Sequence, residues 1–277
     1  MSSRLHRTAV ENEEIAERGS YRTPGGAVVD VAARLAAARA GTVSYAPERL
    51  AGLLAAEPVP GPGAPVVEVT AEGSMSAARR LAGAGDGAAG RVGVLNFASA
   101  RNPGGGYLRG AKAQEEDLCR SALLYHCLLA APDYYAAHRA SADLRYSHRV
   151  IFSPDVPVIR DDRGELAAGL GQVSFLTSPA PNAGQLQLRS DAPVDLADVL
   201  AERAARVLAV AARHGVRQLV LGAWGCGVFR NDPAEVAEAF AAALGSYGAA
   251  FERVVFAVWD RAEPSANRTA FERRFTP

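Results

Sequence analysis

Two spacings of hydrophobic residues alternate along this chain: short apolar runs, typical of buried strands, and longer segments in which apolar residues recur every three or four positions. Strands are predicted at about residues 66–70, 92–97, 150–153, 172–177, 218–221 and 253–258. Helices are predicted at about residues 1–20, 30–39, 74–83, 114–130, 195–214 and 233–244. This alternation predicts an α/β sandwich with a mostly parallel sheet.

A turn-rich stretch, EPVPGPGAP at residues 57–65, separates the first two helices from the first of these strands. Its prolines and glycines favour an extended linker. A chain of 277 residues is long enough for one large domain or two small ones. We therefore predict an N-terminal helical extension at residues 1–60, packed on a main domain at residues 61–277.

The segment RNPGGGYLRGAKAQEEDLCR, residues 101–120, joins three consecutive glycines to a pair of acids at the start of a helix. Glycines allow positive φ and leave backbone N–H groups uncovered, which predicts an anion-binding loop. Glu115 and Glu116 leave the helix axis about 100° apart, so we expect one to do chemistry and the other to position a ligand. The alternative is that both acids only complement the helix dipole.

A second glycine segment follows the predicted strand 218–221 and contains Gly222, Gly225 and Gly227. Asn231 or Asp232 is suited to cap the next helix, and Pro233 to its first position. A strand, a glycine loop and a helix N-terminus in this order favour a phosphate cradle, although a plain tight turn has the same signature. Neither a Walker loop nor a dinucleotide fingerprint is present.

Composition narrows the possible functions. Thirty basic and thirty acidic residues leave no net charge, which does not suggest a protein that binds nucleic acid through a general positive field. No apolar stretch approaches the roughly 20 residues of a membrane span, and no signal core is visible at the N-terminus. We therefore expect a cytoplasmic protein without a membrane partner. Three cysteines without ligand-like spacing indicate neither disulfides nor zinc.

Side chains beside the second glycine segment have alternative interpretations. Phe229 is a candidate for stacking on a sugar or base, whereas an aromatic such as Trp224 beside a glycine loop is often part of the core. Cys226 fits small-residue packing better than a nucleophile. Asn182 could donate to a ligand, but a plain turn explains it as well.

The segments LNFASARNPGGGYLRGAKAQEEDLCRSALLY and LVLGAWGCGVFRNDP resemble the macrodomain-type poly(ADP-ribose) glycohydrolases, specifically their shorter bacterial group. Three glycines, six to eight residues and then Gln-Glu-Glu form the signature of that family, and seven residues separate Gly106 from Gln114 here. YRTPGGAVVDV, YSHRVIFSPDVPVIRDD and SPAPNAG also look like the bacterial group. The resemblance implies a three-layer macrodomain-like sandwich with a mixed, mostly parallel sheet and an N-terminal helical extension.

The same resemblance implies roles for individual residues. Glu116 would be the essential acid, and Glu115 would contact ribose hydroxyls. The second glycine loop would wrap the diphosphate, with Phe229 orienting the distal ribose. Where binding-type macrodomains have Asn-Ala-Ala-Asn, this chain has Asn96-Phe97-Ala98-Ser99 and then Asn102, so the residue that holds the ribose stays open. The expected substrate-binding set is Gln114, Gly104, Gly105, Gly106, Asn96, Ser99, Asn102, Gly225, Cys226, Gly227, Val228 and Phe229.

We therefore expect a monomeric, metal-independent hydrolase without a cofactor that cleaves ribose–ribose O-glycosidic bonds. Its partners would be poly(ADP-ribose), ADP-ribose and ADP-ribosylated proteins, but no sequence-specific nucleic acid. A non-catalytic ADP-ribose-binding macrodomain and another ADP-ribosyl or phosphoester hydrolase, the latter normally needing a metal, are the alternatives.

Overall fold

The computed structural model describes residues 3–55, 61, 63–83, 91–190, 194–261 and 263–276. The strands are β1 Ser20–Arg22, β2 Val28–Asp30, β3 Val43–Tyr45, β4 Val66–Thr70, β5 Arg91–Phe97, β6 Val150–Pro157, β7 Gln172–Ser178, β8 Val216–Leu221 and β9 Arg253–Ala257. The helices are α1 Ser3–Arg18, α2 Ala32–Ala40, α3 Pro47–Ala55, α4 Ser74–Gly83, α5 Gln114–Ser121, α6 Leu124–Leu128, α7 Pro132–Arg139, α8 Ala183–Gln187, α9 Ala197–Arg213, α10 Pro233–Tyr247 and α11 Ala266–Phe275. Short 3-10 turns lie at Tyr107–Arg109 and Gly248–Ala250.

Seven strands form the central sheet, in the order β3-β6-β7-β5-β8-β9-β4. The pairs from β7 through β4 are parallel, whereas β6 is antiparallel to both β7 and β3. Apolar residues of α1, α2 and α4–α7 cover one face of the sheet, and those of α3 and α9–α11 cover the other. The chain is thus a three-layer α/β sandwich with a mixed, mostly parallel sheet, as predicted.

Most predicted elements of the main domain are present, and β4 and α4 have the predicted bounds. One prediction was wrong: the helix expected at residues 114–130 is interrupted. Ala122 is extended and bridges to Val158, while the Ile159 N–H donates to the Ser121 carbonyl at 2.9 Å. The backbone at Ser121 and Ala122 pairs with the chain that continues β6. This pairing ends α5 after eight residues.

The N-terminal segment contains more than the two predicted helices. A β1–β2 hairpin lies between α1 and α2, and β3 joins the edge of the central sheet beside β6. Three-residue strands are too short to show periodicity, which explains why the sequence did not reveal them. The proposed boundary near residue 60 lies largely outside the described residues, since 56–60 and 62 are not among them, so the division at this point stays a prediction.

No helix in the described ranges is both long and apolar enough to cross a membrane.

Candidate active site

Both glycine segments lie at the carboxyl ends of neighbouring parallel strands. The first follows β5 and leads to α5, and the second follows β8 and leads to α10. Ligands of open α/β sheets bind beyond this edge. Both segments therefore lie at the edge of the sheet where such a ligand would bind.

Glu116 is held by the backbone of the loop that precedes it. Its Oε1 accepts a hydrogen bond from the Gly106 N–H at 2.8 Å, and its Oε2 accepts one from the Ala113 N–H at 3.0 Å. Ala113 is the N-cap residue of α5, so Glu116 reaches back as the third residue of a capping box does. The side chain is 7% exposed, and its carboxylate lies at the surface of the glycine loop.

Glu115 is buried more deeply, on the side of the sheet. Its Oε2 accepts from the Ser99 N–H at 2.6 Å and its Oε1 from the Asn96 side-chain amide at 3.2 Å. Burial, opposed by these hydrogen bonds, raises the pKa of Glu115 to about 8. The Asn96 amide also donates to Thr177 on β7, while its Oδ1 is buried without a partner among the described residues.

Gly105 brings the two carboxylates together. Its φ is +58°, and a Cβ atom at this position would lie 2.6 Å from Glu116 Oε1 and 3.2 Å from Glu115 Oε2. Any side chain would therefore displace both acids. The 100° divergence expected from helix geometry is overcome by side-chain rotation, so both acids face the same glycine.

The first loop does not have the free N–H groups expected of an anion-binding loop. The Gly106 N–H is used by Glu116, and the Gly105 N–H donates to the Asn102 carbonyl at 3.0 Å. Gly104 contributes a backbone interaction to Glu115. The anions that this loop binds are therefore the protein's own carboxylates, and a ligand would meet the bare Cα surface of the glycines instead of their N–H groups.

Gln114 ties the start of α5 to the end of β5. Its Oε1 accepts from the Phe97 N–H at 2.9 Å, and its amide donates to the Leu95 carbonyl at 2.8 Å and to Ser74 at 3.1 Å. These bonds use the amide within the protein, and they position the acids that follow. A direct contact of Gln114 with substrate stays a prediction.

The second loop has the free N–H groups that the first lacks. Across the residues that the structure describes, those of Gly225, Gly227, Val228 and Phe229 have no acceptor. Gly225 has φ +74°, and a Cβ there would lie 2.4 Å from Ala180 Cβ. Asp232 caps α10 by accepting from the Ala234 N–H at 2.7 Å. This is the arrangement that binds phosphate.

Burial and hydrogen bonds distinguish the other candidate ligand-binding residues in and near this loop. Trp224 belongs to the core and donates to the Ser178 carbonyl at 3.1 Å. Burial raises the pKa of the Cys226 thiol to about 12, which favours packing over nucleophilic chemistry. Phe229 is half-buried, with its ring 6.0 Å from that of Tyr146. Asn182 caps the short α8 by accepting from the Gln185 N–H, so its turn interpretation is the one seen.

Of the three candidates for holding the ribose, Asn96 and Ser99 already contact Glu115. The Ser99 hydroxyl also accepts from the Asn102 N–H at 3.2 Å. The Asn102 side chain is exposed and makes no hydrogen bond with any described residue. Among the three candidates, Asn102 therefore has the exposed side-chain amide.

Sequence reasoning missed two residues, one at this edge of the sheet and one that supports α5. Trp259 follows β9 at the same sheet edge and is 64% exposed; an aromatic directly after a predicted strand was the available signal. Asn12 of α1, fully buried, donates to the carbonyls of Cys119 (3.3 Å) and Arg120 (2.8 Å), and Arg160 donates to its Oδ1 at 2.8 Å. The N-terminal helix thus holds the end of α5, a role that no local pattern indicates.

Comparison with known proteins defines the family. A profile described as "Microbial-type PARG, catalytic domain" matches residues 9–161. The structure is similar to that of the poly(ADP-ribose) glycohydrolase of Thermomonospora curvata bound to the inhibitor ADP-HPD, with 48% identity, a TM-score of 0.90 and coverage of 99% of this chain and 100% of that one. The chain belongs to the microbial-type poly(ADP-ribose) glycohydrolase family.

A second similar structure is the poly(ADP-ribose) glycohydrolase of Deinococcus radiodurans in complex with ADP-ribose, with 44% identity, a TM-score of 0.79 and coverage of 92% of this chain and 98% of that one. No curated protein sequence matches the chain. As a member of this family, the protein is a glycosidase. The profile includes Glu115 and Glu116, and the likeness to whole structures extends the match across the second glycine loop.

The buried carboxyl of Glu115 should make the stability of this glycohydrolase depend on pH. Its pKa of about 8 in the folded chain exceeds the ordinary 4.5, so between these values the folded chain holds a proton that the unfolded chain has released. The free energy of unfolding should therefore fall as the pH rises from about 5 to about 8. Glu115→Gln, which carries no charge, should flatten this slope in chemical denaturation.

The exposed Glu48 of α3 provides the control, because Glu48→Gln should leave the slope as it is. A Glu115→Gln protein with the wild-type slope would contradict the proposed burial of this proton.

Gly227 allows a test of the second loop that leaves the fold intact. It is exposed, and a Cβ there would meet nothing within 4 Å. Gly227→Val should therefore fold normally but block the approach of a diphosphate to the N–H groups, weakening ADP-ribose binding more than tenfold, or about 1.4 kcal/mol. Calorimetry measures this, with Gly245→Val on exposed α10 surface as the control. Equal affinities in the two variants would exclude this loop as the cradle.

Proposed function

We propose that this glycosidase hydrolyses the ribose–ribose O-glycosidic bonds of poly(ADP-ribose) and releases ADP-ribose, with Glu116 as general acid and then base. The observation that carries the proposal is the pairing of two loops at one sheet edge: one presents two carboxylates at a bare glycine surface, and the other has free N–H groups. Such a pair suits a ligand with a diphosphate next to the sugar to be cleaved. The ADP-ribose complex of the similar Deinococcus protein supports this choice of ligand.

In the proposed complex the diphosphate lies on the N–H groups of residues 225–229. The ribose beyond it extends towards β5 and β7, where Asn96 and Thr177 support Glu115. Glu115 and Asn102 would hold its hydroxyls, since Asn102 is the free amide at this position. The adenine would lie towards β9, where the exposed indole of Trp259 offers a flat surface for stacking.

The bond breaks as the leaving ribose oxygen receives a proton and positive charge develops on the anomeric carbon. Glycosidases with two carboxylates usually place them on opposite sides of the sugar, which adjacent glutamates on one short helix do not suit. One residue should therefore act twice: Glu116 donates the proton and then, as a carboxylate, takes a proton from the attacking water.

Glu116 suits this double role better than Glu115 does. Glu115 has both oxygens held by Asn96 and Ser99 and is 2% exposed, so it has little freedom to reach a departing oxygen. Glu116 is the more accessible acid, and its Oε1 lies against Gly105 and Gly106, where no side chain stands between it and a ligand. The family resemblance also assigns the essential acid to this position.

We also propose how the enzyme meets its substrate. The polymer would be presented on ADP-ribosylated proteins, and the enzyme would act on it as a monomer in the cytoplasm. Neither loop needs a second subunit to complete it, because both carboxylates and all four N–H groups come from one chain.

Substituting each acid in turn tests the assignment. Glu116→Ala should remove proton donation but leave the second loop unchanged, so turnover should fall by roughly 10²–10⁴ while ADP-ribose affinity stays within a few-fold. Glu115→Ala removes a proposed ribose contact and should weaken both binding and turnover. The two parameters are measured by release of ADP-ribose from the polymer and by calorimetry. Near-normal turnover of Glu116→Ala would refute the role of Glu116.

Activity in the presence of a chelator is a separate test. Glu116 supplies both the proposed acid and the proposed base, so degradation of poly(ADP-ribose) should proceed at the same rate with and without chelator. Activity that disappears on chelation and returns with a divalent ion would show that a metal takes part. Binding of ADP-ribose without any release from the polymer would instead favour a non-catalytic ADP-ribose reader.

A further inference from the structure

Tyr146 has a backbone conformation that tyrosine rarely adopts. Its φ is 60°, in the left-handed region, where a Cβ atom is crowded by the neighbouring carbonyl. Residues in such conformations cost of order 1–3 kcal/mol and persist only where surrounding structure holds them, often at functional sites. Another positive-φ residue, Arg230, directly follows Phe229 in the second loop.

A buried arginine holds this conformation in place. Arg203 of α9 is 0% exposed and forms no ion pair with any described carboxylate. Its guanidinium donates to the carbonyls of Arg145 (2.8 Å), Tyr146 (3.3 Å) and Pro179 (2.7 Å). Burying a cation without a carboxylate costs free energy, and here the hydrogen bonds to backbone carbonyls offset that cost. The same bonds fix the backbone at Tyr146.

The anchored segment lies at the ligand edge of the sheet. It leads into β6, which is antiparallel to β7, so the start of β6 lies beside the carboxyl end of β7. The Leu144 carbonyl accepts from the Asn182 N–H at 2.9 Å, which joins this segment to the loop after β7. Tyr146 therefore lies on the β7 side of the two glycine loops.

Aromatic contacts join the Tyr146 ring to the second loop on one side and to a buried aromatic cluster on the other. Its ring centre is 6.0 Å from that of Phe229 and 5.9 Å from that of His138, which in turn is 4.6 Å from Tyr134. At the far end of this cluster, burial and then the charge of Glu115 raise the pKa of the Tyr134 hydroxyl. The Tyr146 side chain is half-buried, and its hydroxyl bonds to no described residue.

We propose that Tyr146 is a specificity-determining residue that binds the ribose next to the scissile bond, its ring forming with Phe229 an aromatic wall for the sugar and its hydroxyl donating to a sugar oxygen. This assignment rests on the proposed function, because it requires a diphosphate on the second loop and a ribose beside the acids. It gives a reason for the left-handed conformation of Tyr146 and for the burial of Arg203, because together they hold the Tyr146 ring beside Phe229.

Tyr146→Gly is the decisive variant, because glycine adopts φ 60° without strain and removes only the side chain. ADP and ADP-ribose are titrated by calorimetry, since ADP has the diphosphate but lacks the distal ribose. We expect ADP-ribose affinity to fall at least tenfold and ADP affinity to stay within twofold. The KM for poly(ADP-ribose) should rise. Tyr247→Ala, which removes another half-buried tyrosine at the end of α10, should change neither affinity.

The other possible results would contradict the proposal in different ways. ADP-ribose affinity equal to wild type in Tyr146→Gly overturns the proposal, and so does an equal loss for ADP, which would indicate damage to the whole loop. Tyr146→Phe should lose part of the ADP-ribose affinity, and an unchanged value overturns the role of the hydroxyl. If the wild-type protein binds neither ligand, the proposed function itself fails, whatever the variants do.

Discussion

The site depends on one interaction, the capture of two adjacent carboxylates by backbone N–H groups of the loop that precedes them. Glu116 accepts from Gly106 and Ala113, and Glu115 accepts from Ser99. Hydrogen bonds to ionisable acceptors are among the stronger ones in proteins, and here they close the loop onto the first turn of α5. Because Gly105 has no side chain, the closed loop can lie directly against both acids.

This arrangement divides the work between the two glycine loops. In the first loop, the N–H groups of the three glycines are used within the protein, by the two acids and by the Asn102 carbonyl, and are therefore not available to a phosphate. The second leaves four N–H groups free beside the capped start of α10, and it is the only one of the two suited to an external anion. Similar glycine-rich sequences thus have different roles. The difference is whether acceptors within the protein already bond to the backbone N–H groups of the loop.

Elements far away in sequence keep the acids in place. Gln114 fastens the start of α5 to β5, while Asn12, held in turn by the Arg160 guanidinium, donates to carbonyls at its end. An eight-residue helix has little stability of its own, so these contacts replace what a longer helix would supply. The N-terminal helix is therefore part of the catalytic architecture in addition to being a covering layer. Arg203 has a comparable role on the other side, where it orders the loop that carries Tyr146.

The local sequence was sufficient for the alternating elements, the two glycine loops, the acids at a helix start and the family itself, because periodicity, positive-φ glycines and capping residues act over a few positions. Only the tertiary structure decided which N–H groups are free, that α5 ends at Ser121, that Asn12 holds the end of α5, and that Trp259 and Tyr146 lie at the ligand edge of the sheet. These features depend on contacts between residues distant in sequence, such as Asn12 with Arg120, which are 108 positions apart. No local pattern encodes such contacts, since they form only when the packed sheet brings the segments together.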